Sequence, residues 1–322
     1  MRKLIVYPNC SKGGVATVIR GRAVAEPNVQ FDCVFVEDKG GVDAYSDLPN
    51  VDIRIVRRDR CAALVQFLVG SGIYSELSIL SFPEIARGAQ FPESLLVKYE
   101  FHSSNMSIIK KELSLVDLST IDTLVAPSQY MADQIDAELP KSTRLRTVVV
   151  PNLIDSRVFH PGQSETNPIG ANGVPLIWIG RFDKEKGVKH FLRLLSLLPE
   201  KFYGIVFVSL ESDPARAADF FSEVHASGVN DRVHLLMNVP QWKLGDFFRR
   251  ARERGGALVS TSIMESFGYT VVEAIACALP VYAFGLEVFA EHSDPDGLLN
   301  TVDIGDVVAL AELLSAPAER LP

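Results

Sequence analysis

Two glutamates lie eight residues apart in the segment ALVSTSIMESFGYTVVEAIACALPVYAF, residues 257–284. A predicted strand is followed by Glu265, then by Gly268, and then by a predicted helix that carries Glu273. Gly268 allows the backbone to approach a ligand, and the free N–H groups of the next turn can bind an anion. Sugar hydroxyls satisfy a carboxylate that would be costly to leave unpaired. We therefore predict that Glu273 binds a diol such as a ribose and that Glu265 binds a second polyol group near a phosphate.

Stabilisation of the helix dipole is the alternative interpretation of the two glutamates. A carboxylate at a helix start contributes about 0.3 to 1 kcal/mol in this way without binding any ligand. Glu273 argues against this alternative because its neighbours at 271–276 are apolar, and a charge among them needs a specific partner.

Two cations follow another predicted strand in PLIWIGRFDKEKGVKHFLRLL, residues 175–195. Arg181 and Lys186 lie in a short loop that ends at Gly187, where a helix is predicted to begin. A guanidinium fork and a mobile ammonium group beside a helix start suit a diphosphate. A surface loop with internal salt bridges would look the same, and residues 183–185 are predicted to be exposed charges. The glutamate motif on the same sheet favours the diphosphate interpretation.

A glycine pair follows the first predicted strand, in YPNCSKGGVATVIRG, residues 7–21. The phosphate-binding loop of ATPases requires GxxxxGK[ST], and no such lysine follows Gly13 and Gly14, so a triphosphate loop is excluded. The two glycines still allow close approach to a diphosphate above a helix N-terminus, with Lys12 as a candidate contact.

Composition excludes several classes of function. The chain has 322 residues, a net charge of −8 and a pI of about 5.4, so nucleic acid is not an expected partner. Its four cysteines are scattered, which predicts a reducing, cytoplasmic location. The first apolar run is too short for a signal peptide, and no run reaches the roughly 18 residues of a membrane span, so any membrane contact is expected to be weak, peripheral and at the inner face. Arginines at 54–60 and at 249–254 form basic clusters, which are predicted to be solvated or to contact anionic lipid headgroups.

Short apolar runs alternate with amphipathic segments along the whole chain, which predicts parallel sheets with crossover helices. The Pro- and Gly-rich stretch HPGQSETNPIGANGVP, residues 160–175, separates two such halves. We predict a first α/β domain at 1–160, a linker at 161–174, a second α/β domain at 175–305 and a C-terminal helix at 306–322 that packs back toward the first domain. Ligands of such doubly wound sheets bind outside the carboxyl ends of the strands.

Three segments resemble signature segments of the retaining GT-B glycosyltransferases of glycosyltransferase family 4. They are GRFDKEKG, STSIMESFGYTVVEAIACALPVYA and VVVPNLIDSRVF, the last at residues 148–159. The resemblance implies two Rossmann-like doubly wound domains facing across a cleft. It also implies retaining transfer of a hexose from a nucleoside-diphosphate sugar, with a UDP-sugar favoured, in cell-surface glycan or natural-product biosynthesis.

The resemblance assigns roles to the residues of these segments. Arg181 and Lys186 match the diphosphate-binding pair, and Glu265 and Glu273 match the two ends of a glutamate-x7-glutamate motif that binds the sugar and the ribose. The remaining donor-binding positions that it implies are Ser266, Phe267, Gly268 and Tyr269. No metal or other cofactor is required, and Asp294-Pro295-Asp296 is predicted to be a turn.

His102 follows a predicted strand in LLVKYEFHSS and is the candidate for the chemistry in the first domain. A histidine at a strand end is often structural, but the resemblance implies a place beside the donor sugar. Glu100 lies two residues earlier and has no partner that the sequence identifies. Because no first-domain carboxylate stands out as a nucleophile, the resemblance implies front-side attack in which the leaving diphosphate helps to deprotonate the acceptor.

The chain departs from the family pattern at three turns, and other functions remain open. Leu153 replaces the hinge glycine, and residues 209–212 and Asn238 replace glycine-rich turns near the nucleobase, so the base is undecided. A GT-B epimerase or a phosphorolytic enzyme is the alternative enzyme. A non-catalytic sugar-nucleotide-binding subunit is the alternative from another class. The acceptor is a saccharide, a lipid-linked saccharide or a small molecule.

Overall fold

The computed structural model describes residues 1–166, 172–208 and 214–316. The chain divides into two units, Met1–Leu153 and Ile154–Pro322. Each unit has a parallel sheet with helical crossovers, so the two predicted Rossmann-like α/β domains are confirmed. The division falls at residue 153, whereas the sequence placed the end of the first domain at 160.

The first unit contains a seven-stranded parallel sheet in the order β3-β2-β1-β4-β5-β6-β7. Its strands are β1 (Arg2–Cys10), β2 (Gln30–Asp38), β3 (Val51–Ile55), β4 (Glu76–Leu80), β5 (Leu96–Glu100), β6 (Thr123–Ala126) and β7 (Thr147–Val149). Its helices are α1 (Gly14–Ala25), α2 (Arg58–Gly70), α3 (Met106–Leu115) and α4 (Gln129–Glu138). The strand order reverses between β1 and β4, and this reversal creates a crevice at the carboxyl ends of those two strands.

Both faces of this sheet are buried, which explains why its central strands are apolar in consecutive positions. On β1, Leu4 and Val6 join the core that includes residues of α2, α3 and α4, whereas Ile5 joins the core of α1. Successive strand side chains point to opposite faces, so one short run serves both layers.

The described part of the second unit contains a six-stranded parallel sheet in the order β10-β9-β8-β11-β12-β13. Its strands are β8 (Val174–Ile179), β9 (Phe202–Val208), β10 (Val233–Met237), β11 (Ala257–Ser260), β12 (Val281–Phe284) and β13 (Leu299–Val302). Its helices are α5 (Val188–Leu197), α6 (Pro214–Ala226), α7 (Gln241–Glu253), α8 (Tyr269–Ala276) and α9 (Val307–Ser315). The order reverses between β8 and β11, the two strands that precede the cationic loop and the glutamate motif.

The end of the second unit contains one strand that the sequence analysis did not predict. The edge strand β13 was not predicted, because it is short and half of its residues, Asn300 and Thr301, are polar. The packing of the C-terminal helix toward the first domain stays a prediction. Helix α9 places Val307 and Leu310 in the core of the second unit, which α5 also lines, while 317–322 lie outside the described residues.

The predicted linker is attached to α7 over its first residues. Arg249 donates to the carbonyl of Val158 (2.9 Å), and Arg252 donates to the carbonyls of Pro161 (2.9 Å) and Gly162 (2.6 Å). The prediction that this arginine cluster is a solvated or lipid-binding surface is therefore wrong for these two side chains. They satisfy backbone carbonyls that have no partner in a helix or sheet.

Asp246 of α7 completes this attachment. Its carboxylate accepts the N–H groups of Glu165 (2.7 Å) and Thr166 (3.1 Å), and the Thr166 hydroxyl also donates to it. Burial raises the pKa of Asp246, but these hydrogen bonds outweigh that effect and lower it below its usual value. Residues 158–166 therefore pack as part of the second unit.

Replacing Asp246 with alanine should loosen this segment. We expect native-state proteolysis between residues 158 and 166 to become faster, with a loss of about 1 kcal/mol in the free energy of unfolding, because three donors lose one acceptor. Limited proteolysis with mass spectrometry measures the cleavage rate. The exposed Asp296 provides the control as Asp296→Ala. Equal cleavage rates in the two variants would contradict the attachment.

Candidate functional site

The two motifs of the second unit meet where the strand order reverses. Strands β8 and β11 are parallel neighbours, so the loops that follow them leave the sheet at the same edge. The N–H of Ile263 in the second loop donates to the carbonyl of Glu185 in the first (2.8 Å). The structure therefore brings together the cationic loop and the glutamate loop that the sequence predicted on one sheet.

Two glycines begin the helices at this edge, and both are required by their geometry. Gly187 has φ +66° and precedes α5, and a Cβ there would lie 2.2 Å from the carbonyl oxygen of Thr261. Gly268 has φ +83° and precedes α8, and a Cβ there would lie 2.5 Å from Phe289. Neither helix start has a side-chain cap, and a helix N-terminus of this kind can bind an anion.

Thr261 joins the two loops and was not identified from the sequence. Its hydroxyl accepts a hydrogen bond from the indole of Trp178 (3.0 Å) and donates to the carbonyl of Gly187 (2.9 Å). All of Thr261 is buried. The sequence shows only that a threonine directly follows the buried strand β11, and this does not identify its hydrogen-bond partners.

The Lys186 ammonium and the Glu265 carboxylate form an ion pair at 2.6 Å, with 24% and 12% of their side chains exposed. Two residues predicted to bind different parts of one ligand therefore contact each other. The contact spans 79 residues of chain, so the alternative of a salt bridge within the cationic loop is wrong for Lys186.

Arg181 is paired within its own loop instead. Its Nε donates to Asp183 (2.7 Å), and 61% of its side chain is exposed. The Asp183 carboxylate also accepts the backbone N–H of Lys186 (3.0 Å). The prediction of exposed loop charges at 183–185 holds for Lys184 but is wrong for Asp183 and Glu185, which are half-buried.

Glu273 lies within α8 and is buried, with 3% of its surface exposed. Its Oε1 accepts a hydrogen bond from the Gln241 amide at the start of α7 (2.8 Å). Burial raises the pKa of Glu273 to about 8, although the Gln241 hydrogen bond acts in the opposite direction. Since neither glutamate lies in the first turn of α8, the helix-dipole alternative does not explain them.

Aromatic contacts hold the segment that leads into α8. The ring of Phe267 packs at 5.0 Å from those of Tyr269 and His292, and His292 Nε2 lies 2.6 Å from the carbonyl oxygen of Phe267. Burial lowers the pKa of His292, although the contact with Phe267 opposes this. Ser266 is half-buried in the same segment. His292 was not found from the sequence because it lies 25 residues away.

In the first unit, the predicted glycine pair lies at the equivalent reversal. Gly13 is the N-cap of α1 and has an extended backbone, with φ −84° and ψ −168°. A Cβ at Gly13 would make only an ordinary contact with Ser11, at 3.6 Å. Neither backbone angle nor packing within the first unit therefore requires a glycine at this position. Gly14, the first residue of α1, is exposed.

His102 follows β5 and lies beside a buried ion pair. Its Nε2 is 3.4 Å from Glu100 Oε2, and both Glu100 oxygens accept hydrogen bonds from Arg22 of α1 (2.9 and 2.6 Å). The sequence identified no partner for Glu100 because that partner, Arg22, lies 78 residues away. Burial would raise the pKa of Glu100, but Arg22 and then His102 lower it well below its usual range. Glu100 is therefore ionised.

Asp294 forms a turn, as predicted. Its two carboxylate oxygens accept the N–H groups of Leu298 and Leu299, both at 2.8 Å. Across residues 1–166, 172–208 and 214–316, no group of three His, Cys, Asp or Glu side chains is placed to hold a metal ion. No helix in the same three ranges is long and apolar enough to cross a membrane.

Residues 164–313 match the family described as Glycosyl transferases group 1. The match covers just under half of the chain. The matched region includes both loops of the candidate site, the ion pair of Lys186 with Glu265 and the buried Glu273.

Curated relatives match about three fifths of the chain. The lipopolysaccharide core biosynthesis mannosyltransferase LpcC of Rhizobium leguminosarum bv. viciae is 27% identical over 227 residues, 64% of this chain and 61% of that protein. A D-inositol 3-phosphate glycosyltransferase of Xylanimonas cellulosilytica is 29% identical over 208 residues, 61% of this chain and 48% of that protein. The matched regions thus span about half to three fifths of these relatives.

Solved structures show the same fold. Anabaena Alr3699/HepE in complex with UDP-glucose has a TM-score of 0.79 at 16% identity, and the match covers 98% of this chain and 88% of that one. Sucrose-phosphate synthase from Thermosynechococcus elongatus has a TM-score of 0.73 at 17% identity, covering 97% and 88%. The chain therefore has the fold of these structures, which is the GT-B fold.

The buried Glu273 should make stability depend on pH. Its pKa is about 8 in the folded protein, against 4.5 for an ordinary glutamate, so between these values only the folded state holds the proton. The stability that Glu273 contributes is fully present below pH 4.5 and is lost as the pH rises toward 8. Replacing it with glutamine removes this titration and preserves the shape of the side chain.

We therefore expect the melting temperature of Glu273→Gln, relative to the unsubstituted protein, to rise steadily between pH 5 and pH 8. Differential scanning fluorimetry across this range measures the difference. The exposed Glu200 provides the control as Glu200→Gln, for which the difference should not vary with pH. A constant difference for Glu273→Gln would show that this carboxyl titrates in an ordinary way.

Proposed function

We propose that the protein is a glycosyltransferase that moves a hexose, with retention of configuration, from a nucleoside-diphosphate sugar to an acceptor hydroxyl. The observation that carries the proposal is the ion pair of Lys186 with Glu265 at the β8–β11 reversal, between two helices that begin at glycines. An ammonium group, a carboxylate and two helix N-termini at one sheet edge suit a diphosphate joined to a polyol.

When the donor binds, its groups replace the contacts that these residues make with each other. Lys186 leaves Glu265 for the diphosphate, and Glu265 then accepts a sugar hydroxyl. Arg181, which is largely exposed, turns from Asp183 to the same diphosphate. Because the Arg181 side chain is 61% exposed, its exchange costs little. Lys186 and Glu265 are mostly buried, so the diphosphate and the sugar hydroxyl must replace the contact that they lose.

Glu273 binds the ribose diol, and its environment supports this role. Its carboxyl is buried, and Gln241 satisfies one of its oxygens. Two hydroxyl donors would favour the ionised form that burial disfavours. We propose a UDP-sugar as the donor, which agrees with the UDP-glucose named for the HepE complex.

Catalysis then depends on positioning the donor and stabilising its leaving group. Negative charge grows on the diphosphate as the glycosidic bond breaks, and Arg181, Lys186 and the helix N-termini stabilise it. His102 contacts the sugar, and Gly13 and Gly14 give the first unit a close approach to the diphosphate. The leaving diphosphate helps to take the proton of the acceptor hydroxyl on the same face, so the proposal includes no carboxylate nucleophile and no metal.

The acceptor carries a hydroxyl group and is a saccharide, a lipid-linked saccharide or a small molecule. LpcC is named for lipopolysaccharide core biosynthesis, which supports a role in cell-surface glycans. Weak peripheral membrane contact through residues 54–60 stays a proposal. Arg57 and Arg58 of that cluster are ion-paired with Asp59 and Glu84, which leaves less charge for lipid.

Binding of UDP should depend on Lys186 and not on Lys184. Lys186→Ala removes a half-buried charge from the proposed diphosphate site, so we expect UDP to bind at least tenfold more weakly, about 1.4 kcal/mol. Lys184 lies in the same loop and is exposed, so Lys184→Ala is the matched control and should change affinity less than twofold. Isothermal titration calorimetry measures both dissociation constants. Equal losses would mean that net loop charge, and not Lys186, binds the anion.

Product analysis tests the reaction itself. With a panel of UDP-sugars and acceptor saccharides, we expect UDP release only when an acceptor is present and a new glycosidic bond with the anomeric configuration of the donor. Proton NMR of the anomeric region gives the configuration. Inversion would overturn the retaining mechanism, and UDP-sugar conversion without an acceptor would favour the epimerase or phosphorolytic alternative. UDP-sugar binding without any turnover would favour the non-catalytic subunit.

A further inference from the structure

Ser81 has a backbone conformation that serine rarely adopts. It directly follows β4, at the strand reversal of the first unit, and its φ is +44°. A non-glycine residue in this region costs of order 1 to 3 kcal/mol, and such residues persist only where their surroundings hold them. The N–H of Ser81 is fixed by the carbonyl of Glu100 (2.9 Å), which places its hydroxyl beside the residues that follow β5.

The Ser81 hydroxyl lies between a buried carboxyl group and His102. Its Oγ accepts the backbone N–H of His102 (3.3 Å), and the same hydroxyl lowers the pKa of Glu112 of α3. Glu112 is 7% exposed and also accepts the hydroxyl of Tyr99 (3.1 Å). The chain of contacts therefore runs from α3 through the end of β4 to the residue after β5.

The charge state of Glu112 fits this arrangement. Burial raises the pKa of Glu112 to about 7, the hydrogen bonds from Tyr99 and Ser81 lower it, and the nearby carboxylate of Glu84 raises it. Burying a carboxyl group costs free energy, and its two hydroxyl partners offset only part of that cost. The sequence pattern of α3 explains none of this, since an apolar residue would fill the same position.

We propose that Glu112 and Ser81 position His102. The Glu112 carboxylate accepts a hydrogen bond from the Ser81 hydroxyl. This orients the hydroxyl so that a lone pair of Ser81 Oγ faces the His102 N–H. His102 is thereby held at its backbone by Ser81, while its ring lies against Glu100. The proposal rests on the proposed function, in which His102 contacts the donor sugar.

Kinetics of four forms of the protein test the positioning role. Ser81→Gly removes the hydroxyl and also relieves the backbone, and Glu112→Leu removes the carboxyl, so we expect kcat to fall about three- to tenfold in each. The KM for the UDP-sugar should change less than twofold, because Lys186, Glu265 and Glu273 are unaltered. Tyr99→Phe is the matched control. It removes a hydroxyl from the same carboxyl group but leaves Ser81 in place, and kcat should stay within twofold.

Hydrogen exchange tests the same contact without any substrate. We expect the His102 amide to exchange about tenfold faster in Ser81→Gly and Glu112→Leu and at an unchanged rate in Tyr99→Phe. Unchanged exchange and unchanged kcat in Ser81→Gly would overturn the proposal, as would equal effects in all three variants. Should Glu112→Leu fail to fold, Ser81→Gly and Glu112→Gln decide the question.

The exchange result also separates this proposal from the proposed function. Absence of any nucleotide-sugar turnover in the unsubstituted protein would reject the glycosyltransferase assignment. Fast exchange of the His102 amide in that same protein would reject the hydrogen bond from which the positioning role is argued.

Discussion

The candidate site of the second unit depends on the contact between Thr261 and Gly187. A single Cβ at Gly187 would lie 2.2 Å from the Thr261 carbonyl oxygen, so the two loops could not approach. The Thr261 hydroxyl adds a hydrogen bond to the Gly187 carbonyl. The ion pair of Lys186 with Glu265 depends on this junction, because Lys186 precedes Gly187 and Glu265 lies four residues after Thr261.

The sequence was sufficient for the elements and for the residues that lie in loops after strands. Apolar runs of a parallel sheet are nearly continuous, and the motifs stand at their carboxyl ends, so spacing alone placed Lys186 and Glu265 on one edge. The sequence analysis did not predict the short edge strand β13, because a strand at a sheet edge can contain polar residues and then lacks an apolar run. The Pro- and Gly-rich composition of residues 160–175 predicts irregular backbone, which residues 160–166 have, whereas strand β8 already begins at Val174. Composition does not show that Arg249 and Asp246 hold residues 158–166 on α7.

Side-chain partners were the part that could not be predicted. Arg22 meets Glu100 across 78 residues and Gln241 meets Glu273 across 32, and both contacts depend on the rotation and position of packed helices. Hydrophobic periodicity indicates which face of a helix is buried, but it does not say which strand or helix that face meets. A charged residue in an apolar run was a useful signal that a partner exists, as at Glu273, although it did not identify the partner.

The charged groups of the two units differ in how readily they can change partners. Arg22 and Glu100 are nearly excluded from water, with 17% and 1% of their side chains exposed, so separating them would leave an uncompensated buried charge. The pair of Lys186 with Glu265 is more exposed to solvent, with 24% and 12% of the side chains exposed, so water can replace part of each contact. A ligand that offers an anion to the lysine and hydroxyls to the glutamate can therefore displace the second pair but not the first. Separating Lys186 from Glu265 therefore costs less than separating Arg22 from Glu100.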